Sequence, residues 1–271
     1  MTDTVSPTRT QSKQARLSPG SIMLIAGLLL LLVWLSLKVV RVANAANALL
    51  DLETQAATLL DDGPTNIDPD AAGALVTDLR TNVVILRNEL GFLLPITPRL
   101  GWVPRLGPTL VAAPQLMEMA DAGSAAAAYA HRGLAPALPI LQSDGGLESQ
   151  LPELLAVIDA AKPDLIAAAA ETERLAAARS ALPNEEALPW RLRSLLPTFD
   201  TWLPRGQDGL LLAQMLPEML GADGRRTYLL IAQNEDEMRP TGGFISGVGT
   251  LTVDNGRIAD LSFEDASLID D

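Results

Sequence analysis

Hydrophobic positions crowd together at the start of this chain and spread into periodic patterns after it. Residues 17–37, LSPGSIMLIAGLLLLLVWLSL, carry no charge. A run of this length matches the roughly 20 apolar residues a helix needs to cross a hydrocarbon core, so the pattern predicts a transmembrane helix over 18–40. Apolar positions then recur at heptad spacing, with Val42, Leu49 and Ala56 on one register and Ala45, Leu52 and Leu59 on the other. That seam predicts a helix continuing from the membrane to Leu60, stopped by Asp61-Asp62-Gly63-Pro64. The long seam permits self-association without requiring it.

Asp68 and Pro69 have the chemistry of an N-cap followed by a first-turn proline. Leu75, Leu79, Val83, Leu86 and Leu90 follow at helical spacing and Gly91 ends the run. Two helices of this length, packed as a hairpin, return the chain to the membrane surface. The next stretch, 91–108, reads GFLLPITPRLGWVPRLGP, with four prolines and three glycines. Its Phe92, Trp102, Arg99 and Arg105 suit a bilayer interface, where aromatic rings and arginines settle among headgroups. This predicts a loop touching the outer leaflet or a lipid-linked ligand; the plainer alternative is a buried connector.

From Thr109 to about Leu220 the pattern is helical and alanine-rich. Its prolines, Pro114, Pro136, Pro139, Pro152, Pro163, Pro183, Pro189, Pro197, Pro204 and Pro217, predict division into short helices. Glu171, Glu173, Arg174 and Arg179 read as a solvated face with local ion pairs. His131 falls near a helix C-terminus, with Gly133 as the expected cap. Beyond Gly221 the period changes. Residues 226–233, 244–253 and 258–263 read as strands, the last two joined by Asn255-Gly256, a strong hairpin signal. A two-residue turn sets Val253 opposite Ile258 and Val248 opposite Phe263. Both faces are then partly apolar, as in a sheet covered on both sides. Three strands leave an edge open, which predicts a longer protein or a partner that completes the sheet. The fold class expected is α+β: a single N-terminal transmembrane helix, an all-helical region, then the start of a sheet domain. The divisions are a disordered cytoplasmic tail at 1–17, the span at 18–40, a helical region at 41–220, and the sheet region at 221–271.

Charge supports this placement. The net charge is −13; residues 1–50 carry five basic and one acidic side chain, and the remainder carries 15 basic and 32 acidic. Arg9, Lys13 and Arg16 before the apolar run keep the short N-terminus in the cytoplasm under the positive-inside tendency and send the bulk outward. Lys38 and Arg41 add positive charge on the outer side and weaken that asymmetry, although their stems can snorkel. A cleaved leader ending at Ala45 is the rival reading, but the run is longer than a leader's apolar core and Lys38 and Arg41 separate it from the cut. The acidic exterior argues against nucleic acid and against broad adhesion to anionic lipid. The chain has no cysteine and one histidine, which leaves little material for thiol, zinc or triad chemistry.

One polar segment remains: Asn234-Glu-Asp-Glu-Met-Arg-Pro-Thr-Gly-Gly-Phe244. The Gly242-Gly243 amides can form an anion-binding nest with Arg239 as a charged partner. Asn234, Glu237 and Thr241 complete that candidate ligand set. The plainer reading is a tight turn in which Arg239 pairs with Glu235 or Glu237. Glu264, Asp265, Asp270 and Asp271 are oxygen donors suited to a divalent cation, or simply a solvated strand end; no other cofactor is expected.

Residues 228–271 resemble the bacterial membrane-anchored proteins of the domain-of-unknown-function family 4012, whose mark is a strand, an Asn-x-x-Glu-x-Arg-Pro-Thr-Gly-Gly-Phe core and a hairpin with a glycine turn. Asn234, Glu237, Arg239, Pro240, Thr241, Gly242, Gly243 and Phe244 fit that core, and Gly101-Trp102-Val103-Pro104 extends the likeness into the helical part. The resemblance implies a cell-envelope location and a longer chain, and supplies no reaction or catalytic residue. Two classes of function follow. One is a non-enzymatic envelope component, anchored in the lipid bilayer and presenting a sheet to envelope proteins or glycan. The alternative is an envelope enzyme acting on a lipid-linked or anionic glycan, with Arg239 and the glycine nest holding phosphate. The scarcity of histidine and the absence of cysteine favour the first.

Overall fold

The computed structural model describes residues 19–61, 68–143, 146–234 and 243–266. The expected tail at 1–17 lies outside them. Helices α1 (Pro19–Asp61), α2 (Pro69–Leu90), α3 (Gly107–Leu134), α4 (Leu138–Gln142), α5 (Leu147–Ala160), α6 (Lys162–Ser180) and α7 (Trp190–Met219) precede strands β1 (Arg226–Asn234), β2 (Phe244–Asp254) and β3 (Arg257–Asp265). The architecture is α+β, mostly helical with one three-stranded antiparallel sheet in the order β1-β2-β3. The span expected at 18–40 falls on α1, but the side chains of residues 19–29, 31, 32 and 35 are outside the described ones. Among the described residues no helix is long and apolar enough to cross a membrane.

The long helices run alternately up and down, and named contacts fix the direction of each. Lys38 and Arg41 of α1 meet Glu89 near the end of α2, and the seam residues Ala45 and Leu52 are buried. Asp68 caps α2 by accepting a hydrogen bond from the Asp70 amide, with Pro69 in the first turn. Arg80 of α2 reaches Asp121 of α3 at 2.7 Å, and His131, one turn from the end of α3, lies against Gly73. Gly133 of α3 packs on Ala161 and Asp164 at the start of α6. Arg179 at the end of α6 pairs with Asp200 of α7 at 2.7 Å. So α1, α3 and α7 run one way and α2 and α6 the other. One end of the bundle gathers residues 34–41, 87–107, 112–118 and 179–200. The opposite end carries the sheet.

Two expectations about the helices are corrected. Prolines divide this region only in part: Pro139 and Pro163 stand in the first turns of α4 and α6 and Pro189 immediately precedes α7, but Pro114 lies inside the 28-residue α3, Pro152 inside α5, and Pro197, Pro204 and Pro217 inside the 30-residue α7. Each proline removes one backbone donor. Pro197 and Pro204 are solvent-exposed, so water can serve the orphaned carbonyls. The buried face of α7 keeps the helix continuous, because Leu210, Ala213 and Leu216 pack on the cluster of Leu154, Ile158, Ala161 and Leu165. Gly133 is no cap either. It is buried within α3 and gives α6 its close approach.

The Asn255-Gly256 hairpin is as expected. Both residues have positive φ, 46° and 76°, and Asp254 pairs with Arg257 across a two-residue turn. Val253 faces Ile258, but the register then shifts at Ala259, an extra residue on β3. Phe263 therefore stands opposite Gly249 rather than Val248, which faces Glu264. The slip has a steric benefit, because the Phe263 ring lies across Gly247 and Gly249, where side chains would collide with it. The tip of the hairpin is docked: the Asn255 and Gly256 amides donate to the carbonyls of Gly221 and Leu220, and Gly256 abuts Leu151 and Leu155 of α5. The rest of the sheet is not covered on both sides by the described residues. Leu229, Ile231, Leu261 and Phe263 are all more than half exposed.

A Cβ at position 249 would lie 2.2 Å from the Ser262 carbonyl oxygen, and one at 247 would lie 2.6 Å from the movable Phe263 ring. Gly249→Ala should therefore destabilise the sheet by about 1–3 kcal/mol and Gly247→Ala by less. Urea unfolding of the purified protein measures both.

Candidate functional site

The segment singled out by its chemistry, 234–244, is described only at its ends. Asn234 pairs with Phe244 where β1 meets β2, and Gly243 is buried beside that pair. Glu237, Arg239, Thr241 and Gly242 lie outside the described residues, so the expected anion nest does too. Glu264 and Asp265 end β3 opposite Val248 and Gly247, while Asp270 and Asp271 lie outside the described residues. Among the described residues no group of three or more histidine or acidic side chains gathers as a metal site. His131 is in the last turn of α3, as expected, and packs on α2. A surface groove of about 780 Å³ between α3, α6 and α7 is lined by Ala126, Ala130, Leu175, Trp202, Leu210 and other apolar residues, with Thr172 as its polar side chain. That hydroxyl donates to the Ala169 carbonyl, so the groove offers shape but no acid, base or nucleophile.

The other predicted site, the loop after α2, is fully described. It folds as tight turns and a short 3₁₀ segment, Thr97–Leu100, before Arg105, at φ 66°, turns the chain into α3. Thr97 is the buried anchor, its hydroxyl donating to the Leu94 carbonyl. Around that anchor the apolar side chains face outward: Phe92, Ile96 and Leu106 are exposed, and Trp102 is 77% exposed. The loop is thus a presented surface rather than the buried connector. Arg99 donates to the Pro95 carbonyl, which holds its stem along the loop.

The partner of this loop is the end of the apolar run. The Phe92 ring lies 6.0 Å from that of Trp34, tilted by 49°. The Lys38 ammonium sits over both, 5.1 Å from Trp34 and 5.4 Å from Phe92. Lys38 and Arg41 also converge on Glu89, Arg41 at 2.9 Å, and the Glu89 side chain keeps only 11% of its exposure. The two positive charges that blurred the expected orientation therefore share one carboxylate from α2, which offsets half of their charge. Nothing in the local pattern announced Glu89 as that counter-ion, because it lies 51 residues from Lys38. The hydrogen bonds from Lys38 first, then Arg41, hold the Glu89 carboxyl below its ordinary range.

Arg174 and Arg179 form more than local pairs, against expectation. Arg174 bonds Glu171 one turn away and also Glu118 and Asp121 on α3. Glu118 holds the Arg174 guanidinium above its ordinary range. Arg179 grips Glu185 and Asp200, which raise it likewise. A row of charges on an alanine-rich helix looks solvated in sequence, whereas its partners come from helices far away in the chain.

Because the folded Glu89 titrates low, the α1–α2 contact is fully supported above the usual carboxylate range and weakens as pH falls through the lowered value. Hydrogen exchange at residues 86–90 should show protection lost only in acid for the native protein, and weak protection at every pH for Glu89→Gln.

No curated protein and no solved structure matches this chain. One family model does, over residues 223–269, a stretch that takes in all three strands. Its description is "Protein of unknown function (DUF4012)". The likeness read from the segment after β1 thus stands: over residues 223–269 the chain is similar to the DUF4012 family.

Proposed function

We propose that this is a single-pass, membrane-anchored protein of the cell envelope, with its N-terminus cytoplasmic and its bulk outside. Its task in this reading is structural: the helical bundle holds an open sheet away from the bilayer for interaction or assembly. The observation that carries the reading is the meeting of Trp34, Lys38 and Phe92. It joins the last turns of the uncharged run to a loop whose apolar side chains face outward. Aromatic rings stacked with a lysine, at the end of an apolar run, are the chemistry of a membrane–water boundary. The described side chains around that point agree, since Leu30, Val33, Leu37 and Val40 are exposed apolar groups along one face of α1 and Val39 is exposed on the opposite face. A water-facing helix would pair such groups with polar ones.

The interaction role rests on the sheet. Among the described residues its outer strands β1 and β3 each have one neighbour, and apolar side chains stand exposed on both faces. Open strand edges of this kind are templates for pairing. The described concavities supply no constellation of acid, base and nucleophile, so the reading does not lean on a reaction.

In cells making the full chain, the protein should stay with membranes through an alkaline carbonate wash. Protease added to intact spheroplasts should digest everything after about Lys38. Release by the wash, a mature chain beginning at Ala46, or a bulk left intact by the protease would each overturn the proposal.

A further inference from the structure

We infer that the body rests on the lipid headgroups at a second place, residues 188–195, in addition to the loop after α2. The inference depends on the membrane-anchored reading given above. Leu-Pro-Trp-Arg-Leu-Arg-Ser-Leu, 188–195, repeats the chemistry of that loop: apolar residues, a proline, one tryptophan and two arginines, with no acid anywhere from 187 to 199. Neither stretch of the loop from 91 to 108 carries an acid either. In an exterior with 15 basic and 32 acidic side chains, each of these acid-free segments combines an exposed tryptophan with two arginines, Arg99 and Arg105 in one, Arg191 and Arg193 in the other.

The fold brings them to one level. Ala112, five residues into α3, is buried in one cluster with Leu182, Leu188 and Leu196. At 1.5 Å per residue this cluster lies about 7.5 Å beyond Gly107, where the loop ends. Since α7 runs in the same sense as α3, Trp190 lies about 9 Å back from Leu196 toward the loop. It therefore sits at the height where α3 leaves the loop. Leu188 and Leu196 face inward and lock the segment, whereas Trp190 is 68% exposed and Leu195, further along α7, is exposed too. The Arg191 guanidinium stands 5.7 Å from the Trp190 ring, and Arg193 donates to the Glu186 carbonyl. Glu186 is the exposed acid bordering the patch; Glu185 is engaged by Arg179.

The occupant is the outer-leaflet surface of a bilayer containing anionic phospholipid. Tryptophan prefers the headgroup level, and the arginine fork matches phosphate oxygens. The acidic remainder of the exterior is repelled by the same surface.

The chain contains no cysteine, so single cysteines report position cleanly. The full chain would be placed in vesicles of phosphatidylcholine and phosphatidylglycerol, with an environment-sensitive dye at Trp102→Cys, Trp190→Cys or Asp223→Cys, and a headgroup-level spin-labelled lipid as quencher. A dye at Leu195→Cys serves as the second reporter of the same patch. Quenching at 190 and 195 should match that at 102 and exceed that at 223 several-fold. It should fall toward the 223 value, with 102 unchanged, in an Arg191→Glu/Arg193→Glu background. If 102 is quenched while 190 and 195 behave like 223, the second contact is wrong and the anchored reading survives. If the protein fails to float with the vesicles at all, the anchored reading fails and takes this inference with it.

Discussion

Asp121 is an acid on α3 with 3% of its side chain exposed, and three arginines converge on it. Arg80 and Arg87 come from α2, Arg174 from α6. Arg80 also donates to the Asp121 carbonyl and to Ser124. Such a knot is a poor source of net stability, because desolvating the charges costs about as much as their attraction returns. Its effect is on alignment. Alanine-rich helices such as α3 and α6 present smooth faces that can slide by a turn with little loss of buried area. A carboxylate that must meet guanidinium groups from both sides allows one alignment. That alignment sets the heights of the loops at the end of the bundle, and so brings Phe92 to Trp34.

The same logic explains the division of labour among side chains. Small residues let the helices approach: Ala112, Ala122, Ala125, Ala168 and Ala178 are buried. Large ones are placed mostly at the rims. Trp34, Trp102, Trp190 and Trp202 are all exposed, and the fully buried large side chains are Leu155, Leu165 and Val83. A core made of small residues gains little from burial per residue, so the bundle relies on length, with α3 and α6 in contact along most of their extent. Without cysteine there is no covalent staple to help.

Much of this was legible in the residues themselves, and the failures have definite causes. The cap at Asp68, the end of α1 at Asp61 and the turn at Asn255-Gly256 are local chemistry and could be read directly. The helical hairpin followed from the length of two apolar seams. Continuity through Pro197 and Pro204 was not legible, because it is decided by what α7 packs against. The partners of Arg174 and Arg179 were missed for the same reason, as were those of Lys38 and Arg41. The shift at Ala259 moved Phe263 by one place because a ring needs two glycines beneath it, a preference that spans strands. Of the candidate ligand set, only Asn234 and Gly243 fall within the described residues.

The sheet is fastened by its hairpin tip and by the link Gly221–Gly224, at the end of α7 remote from Trp34 and Phe92. α7 has 30 residues, so it reaches about 45 Å. A load applied to the free strands would pass through the covalent link, the two amide hydrogen bonds of the hairpin tip, and the bonds from Arg226 to Glu218 and from Tyr228 to the Met219 carbonyl into that one rod, and along it to the end where Arg179 grips Asp200.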